Sequence, residues 1–131
     1  MIVVDASALL ELLLQTTLGA KVERRLFGGE AELHVPHLVD VEIAQALRRL
    51  VRMGEVSAAR AAEALADLVD IDLHRHPHLD LLGRAWTLRE NVTAYDAIYL
   101  ALAEALAAPL LTCDGPLAAA PGHRARVELI A

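Results

Sequence analysis

Met1-Ile2-Val3-Val4-Asp5-Ala6-Ser7 opens the chain, and Leu110-Leu111-Thr112-Cys113-Asp114 has the same form near the other end: a short apolar run closed by an acid. Such runs suit strands buried on both faces, as in a parallel sheet. If the two strands are neighbours, Asp5 and Asp114 meet just past their carboxyl ends, in the crevice where open α/β sheets bind ligands.

Between and beyond these strands, short turn signals separate periodic segments. The pattern predicts a strand at 2–4 and helices over about 8–15 and 20–27, with Gly28-Gly29 as a stop. A strand at 33–35 ends at Pro36, a helix runs from Leu38 to Met53 before Gly54, and Ser57 starts another that carries Ala61, Leu65 and Leu68 at helical spacing. A strand is expected at 71–73, then a helix over 78–89 with Leu82, Ala85 and Trp86 inward. Residues 93–107 form the most apolar helix, with Asp96 and Glu104 its only charges, so burial nearly all round is expected. Strand 110–113, a helical turn near 117–119 and a strand at 127–130 complete the chain. Strands alternating with helices imply an α/β fold of three layers, α/β/α, around a mostly parallel central sheet.

With 131 residues, residues 1–131 are expected to form one domain. Hydrophobic residues make up 56% of the chain and aromatics 3%, so Leu, Ala and Val build the core, and the apolar excess favours a subunit contact. The formal charge of -6 argues against broad phosphate neutralisation, so any nucleic-acid chemistry needs a local basic patch and a metal. A single cysteine excludes an internal disulfide. No apolar stretch approaches the roughly 20 residues that span a membrane, and no signal peptide precedes the first strand, so a cytoplasmic location is expected.

Four acids draw attention together: Asp5, Glu42, Asp96 and Asp114. Each also has a plain structural role. Asp5 suits a helix cap, Thr93-Ala94-Tyr95-Asp96 fits a capping box, Asp114-Gly115-Pro116 is turn chemistry, and Glu42 falls at the edge of a polar helix face with Gln45 and Arg49. A shared site accounts for all four at once. Mg²⁺ takes oxygen ligands and keeps several waters, and without a cation such carboxylates raise one another's pKa values.

At these residues the chain resembles a known family. Val4-Asp5-Ala6-Ser7, Val41-Glu42-Ile43 followed by Leu47-Arg48-Arg49, the segment from Tyr95 to Ala103 (YDAIYLALA) and Leu110 to Asp114 are similar to PIN-domain proteins, above all the VapC-type ribonuclease toxins of toxin-antitoxin pairs. The resemblance implies Mg²⁺-dependent (or Mn²⁺-dependent) hydrolysis of RNA, with Asp5, Glu42, Asp96 and Asp114 as catalytic metal ligands. It implies Ser7 and Thr112 as hydroxyls that orient them, and as partners RNA, a VapB-like antitoxin and a second copy in a homodimer. Pro116 stands where the family often has a basic residue. Arg48, Arg49 and Arg52 form a basic stripe beside Glu42 suited to phosphate contact, or equally a solvated helix face.

Two rivals belong to other classes. A receiver-type signalling domain gathers acids and Mg²⁺ at strand ends but needs a lysine near them, and the chain's one lysine, Lys21, lies in an early helix. A catalytically silent PIN-like scaffold that binds RNA or protein is the second. His74-Arg75-His76-Pro77-His78 reads as an exposed strand-to-helix loop in preference to a transition-metal site, because Pro77 interrupts it and no further ligand stands nearby in sequence. Cys113 reads as core rather than nucleophile, and so do Trp86, Tyr95 and Tyr99 rather than base-stacking platforms.

Overall fold

Ile2, Val3 and Val4 are all buried, and a strand with no polar face can sit only where both faces are covered. The computed structural model describes residues Met1–Ala131 and places this strand, β1 (Ile2–Val4), at the centre of the sheet. It is flanked by β2 (Leu33–Pro36) and β4 (Leu110–Thr112), with β3 (His74–His76) and β5 (Val127–Leu129) at the edges. Every neighbouring pair is parallel, so the order β3-β2-β1-β4-β5 makes the sheet wholly rather than mostly parallel. Parallel strands need long crossovers, and helices supply them.

Helices α1 (Ala6–Leu14), α2 (Thr17–Phe27), α3 (Leu38–Arg52) and α4 (Ala58–Asp70) pack on one another as one layer. A second layer contains a 3₁₀ turn (Leu79–Leu81), α5 (Leu82–Thr87) and α6 (Ala94–Leu106). The short α7 (Gly115–Ala119) follows β4 and packs by β5. Ala97 through Ala103 are buried without interruption, as expected of the most apolar helix. Leu9, Leu26, Ile43, Leu47, Leu100 and Leu111 belong to one hydrophobic cluster that joins the layers through the sheet.

The order also sets where a ligand can enter. From β1 the chain moves outward to β2 and β3, then crosses back to β4 on the other side of β1. The carboxyl ends of β1 and β4 therefore flank the switch point, where diverging crossovers leave a crevice. Asp5 follows directly on β1, and Asp114 lies two residues past the end of β4.

Several expectations need correction. The edge strand lies at His74–His76 rather than 71–73: β2 pairs His34 with His74 and Pro36 with His76, so the histidine tract is a strand and not a loop. Ile71 instead caps α4. The helix expected over 78–89 is a 3₁₀ turn plus six residues of α5, and of its three inward residues only Ala85 is buried. Trp86 is 68% exposed and carries the Arg89 guanidinium over its ring, and Tyr95 is also exposed. Cys113 is half-buried at the margin of the core, where burial and then Asp5 and Glu11 push its thiol up to about 11, far from a nucleophile's range. α1 begins at Ala6 and α2 at Thr17, each a turn or less earlier than expected, because Asp5 and Thr16 cap them.

Candidate active site

Asp5 is the most buried acid at the crevice, 4% exposed, and every oxygen of its carboxylate is engaged. Oδ1 accepts from the Ser7 hydroxyl at 2.7 Å and the Ala8 backbone N–H at 3.0 Å. Oδ2 accepts from the Thr112 hydroxyl at 2.6 Å. The expected capping role is thus met by the Asp5 side chain. The network runs on: Cys113 N–H donates to Ser7 Oγ at 3.0 Å and Asp114 N–H to Thr112 Oγ1 at 2.9 Å. Ser7 and Thr112 therefore orient Asp5 and tie the carboxyl end of β4 to that of β1. Burial raises the Asp5 carboxyl above its ordinary range against these three donors, and Asp114 adds repulsion.

Asp96 sits in the first turn of α6. Thr93 Oγ1 accepts from the Asp96 backbone N–H at 3.2 Å, which is half of a capping box. The reciprocal half is missing, for the Asp96 carboxylate receives no protein hydrogen bond and stays free to face the crevice. Burial, then Asp114 and Asp5, raise its pKa from 3.8 to about 6. Nothing basic offsets that charge.

Glu42 projects from α3 and meets α6 at one atom: the Tyr99 hydroxyl donates to Glu42 Oε1 at 2.7 Å. Burial raises the Glu42 pKa against this bond, and Asp96 and Asp5 add to it. Tyr99 is 1% exposed, and burial followed by the Glu42 carboxylate holds its phenol firmly protonated. Sequence reasoning assigned Tyr99 to the core and missed this contact. The available signal was the i,i+3 spacing of Asp96 and Tyr99, which places both on one face of α6. Asp114 caps α7, accepting from Leu117 N–H at 3.4 Å, and its charge acts on both Asp5 and Asp96.

Asp5 and Asp114 lie past the carboxyl ends of β1 and β4, Asp114 acts on Asp5 and Asp96, and Asp5 and Asp96 act on Glu42, so the four acids neighbour one another at one end of the sheet. Their donors are all oxygen, and no lysine or arginine is among the charges that act on Asp5, Glu42 or Asp96. That chemistry fits a hard divalent cation. No three His, Cys, Asp or Glu side chains close round a single point, so these carboxylates would hold an ion jointly with its waters, as Mg²⁺ prefers. Lys21 is remote, donating to the Ala131 carbonyl oxygen at 2.9 Å, which leaves the crevice without the lysine a receiver-type site requires.

A groove of about 560 Å³ opens beside the acids, lined by Glu42, Ser7, Leu10, Val41, Tyr95 and Arg49 among others. Arg48, Arg49 and Arg52 are exposed on α3 and engage no acid. Other arginines are committed: Arg25 to Glu128, Arg75 to Asp40 and Arg84 to Glu104, each by paired nitrogens.

A parallel sheet covered on both faces, with an acidic cluster at its switch point, defines a class of α/β domain whose ligand crevice lies past the carboxyl ends of the strands. Residues 2–122 match the PIN domain family model. The chain is 42% identical over 131 residues to Ribonuclease VapC12 of Mycobacterium tuberculosis, covering 100% of both chains. It therefore belongs to the PIN-domain family, within its VapC ribonucleases. Two solved structures share the fold at low identity. M. tuberculosis VapC20, described as a sarcin-ricin loop cleaving toxin, superposes with TM-score 0.67 at 16% identity, over 91% of this chain and 94% of that one. A toxin-antitoxin complex from Klebsiella pneumoniae gives TM-score 0.61 at 17% identity, over 91% of each chain.

Proposed function

We propose that this chain is the toxin of a toxin-antitoxin pair, an endoribonuclease that hydrolyses RNA phosphodiesters with Mg²⁺ (or Mn²⁺) held by Asp5, Glu42, Asp96 and Asp114. The observation that carries this reading is the cluster itself: the buried Asp5 and the half-buried Glu42, Asp96 and Asp114 repel one another with no basic partner, on a chain similar over its full length to a ribonuclease. When bound, a divalent cation lowers the pKa of water and offsets charge on the leaving oxygen. Ser7 and Thr112 hold the Asp5 carboxylate in one orientation, and Tyr99 holds Glu42. Arg48, Arg49 and Arg52 lie along α3 from Glu42 and would take backbone phosphates, which the acidic chain as a whole repels.

The direct test is to incubate the purified chain with structured RNAs, with and without Mg²⁺. Cleavage that needs the ion supports the proposal. Stoichiometric Mn²⁺ binding with no cleavage of any RNA would favour the silent scaffold instead. Replacing Arg48 and Arg49 together with Gln is expected to weaken RNA binding about evenly across sequences and to lower the slope of log K against log salt by up to about 2. An unchanged slope would assign both to a solvated face.

Tyr99→Phe isolates the orientation of Glu42. It removes one hydroxyl and keeps the ring in its buried place, so Mn²⁺ affinity measured by calorimetry is expected to fall about tenfold, and kcat with it. Affinity equal to the parent would reduce Tyr99 to packing.

For partners we propose a second copy and a VapB-like antitoxin. Leu79, Leu82 and Trp86 form an exposed apolar set on the second layer that a dimer contact would bury, and a monodisperse monomer at micromolar concentration would contradict it. Val41 and Tyr95 are exposed beside Glu42 at the groove, which suits an apolar antitoxin segment carrying an Arg to the acids. Failure of a cognate antitoxin to block Mn²⁺ binding would contradict that mode.

A further inference from the structure

Five of the six histidines lie on or next to β2 and β3, and none makes a hydrogen bond to the four acids that the proposed reaction uses. His34 is 6% exposed in the middle of β2 and is paired in register with His74. Their rings stack with centroids 4.8 Å apart and planes 19° from parallel. Glu32, which precedes β2, reaches both: its Oε2 lies 3.3 Å from His34 Nε2 and 3.8 Å from His74 Nε2. On the far side of the same ring, His34 Nδ1 meets His76 Nε2 at 2.7 Å.

From this geometry we propose that Glu32, His34 and His74 form a binding site for a Zn²⁺-like transition-metal ion, with His76 orienting His34. Two donors about 2.0–2.1 Å from one tetrahedral ion lie roughly 3.3 Å apart, which is the spacing of His34 Nε2 and Glu32 Oε2. The His74 nitrogen is further out, and the three are not yet closed on one point. Two near-parallel stacked rings cannot both aim an in-plane nitrogen at one ion, so the His74 ring would turn off the stack; it and Glu32 are exposed, and their rotation leaves the core in place. Without an ion, His34 Nε2–H can donate to Glu32 while His34 Nδ1 accepts from His76. With an ion, the tautomers exchange: His34 Nε2 becomes the ligand and Nδ1–H donates to His76 Nε2, the outer hydrogen bond that metal-ligating histidines require. Water takes the fourth position.

Two imidazoles and one carboxylate select a softer ion than the all-oxygen crevice does. Glu32 precedes β2, His34 is its second residue and His74 opens β3, whereas Asp5 and Asp114 lie past the carboxyl ends of their strands, so the site is separate from the proposed RNA cleft. Its effect would be structural. β3 is a three-residue edge strand, and an ion shared between Glu32, His34 and His74 would tie it to β2.

The experiment is Zn²⁺ titration against a chromophoric chelator in excess Mg²⁺, with Co²⁺ substituted to read geometry by its visible absorption. One Zn²⁺ per chain, an intense tetrahedral Co²⁺ band and a rise in melting temperature of roughly 5–10 °C at a hundredfold excess over Kd are expected. Glu32→Gln and His74→Ala, both surface changes, should each weaken binding at least about tenfold. His123→Ala and Asp96→Asn should leave it unchanged. His34→Asn should abolish it, and the two surface variants decide the matter if that one does not fold. Zn²⁺ binding that survives Glu32→Gln and His74→Ala, that disappears with Asp96→Asn, or that gives an octahedral Co²⁺ spectrum would overturn the proposal, as would no binding at all.

Discussion

Asp96→Asn is expected to abolish RNA cleavage, by at least about a hundredfold, and at the same time to stabilise the metal-free protein. The first effect follows from chemistry: loss of an outer hydrogen bond to a ligand costs about ten- to a hundredfold, and loss of a ligand charge costs more. The second follows from electrostatics. Burial, then Asp114 and Asp5, raise the Asp96 carboxyl to about 6 in the folded chain from its ordinary 3.8. A raised carboxyl pKa favours folding fully below about pH 4, and that contribution is lost as pH rises through 6. At pH 7 the parent therefore carries an unfavourable charge that Asn lacks. Discounted for the part of the group still in water, the difference is on the order of 1–2 kcal/mol.

Melting curves in EDTA should show the variant and parent alike near pH 4 and the variant several degrees higher at pH 7, the gap closing when Mg²⁺ is added. A lower melting temperature for the variant at pH 7 in EDTA would defeat the electrostatic account. Undiminished cleavage would remove Asp96 from the site. Asp5→Asn should also lose cleavage, and its hydrogen bonds show how the fold can survive. The Asn carbonyl can still accept from Ser7 and Ala8, its amide can donate to Thr112 Oγ1, and the Thr112 proton can turn to Ser7 Oγ, 3.2 Å away.

A substrate carrying a single 2′-deoxy residue at the cut site should be cleaved about as well as all-ribose RNA, leaving 5′-phosphate and 3′-hydroxyl ends. Water is the nucleophile in the proposed reaction, so the 2′-hydroxyl takes no part in breaking the bond. A histidine acid-base ribonuclease would behave in the opposite way, losing all cleavage of the deoxy substrate and passing through a 2′,3′-cyclic phosphate. The positions of the histidines favour the first outcome. None donates to Asp5, Glu42, Asp96 or Asp114, and His34, His74 and His76 engage one another and Glu32. Cyclic-phosphate ends on the unmodified RNA would overturn the mechanism.

Where the sequence was read correctly, the signal was local. An apolar run ending in an acid specifies a buried strand that presents a carboxylate at its end, because only a strand of that length can hide every side chain and the first polar residue must leave the sheet. The seven apolar residues Ala97 to Ala103 specified the central helix in the same way. Local pattern failed where two elements compete for one stretch. Ile71-Asp72-Leu73 is more apolar than His74-Arg75-His76, yet the strand forms on the histidines, because there they pair with β2 and can hydrogen-bond and stack on His34. The periodicity of 82–86 showed a helix but not its inward side, since six residues make too short a helix to fix a face, and Trp86 turned outward.

Residue types and order alone thus determined the alternation of strands and helices and the central helix, and singled out the four acids that the proposed function uses. Tertiary structure decided which atoms meet: Thr112 with Asp5 across 107 positions, Tyr99 with Glu42 across 57, and His34 with His76 across 42. Such contacts depend on strand order and register, which are set by how the whole core packs. No window of sequence contains that information.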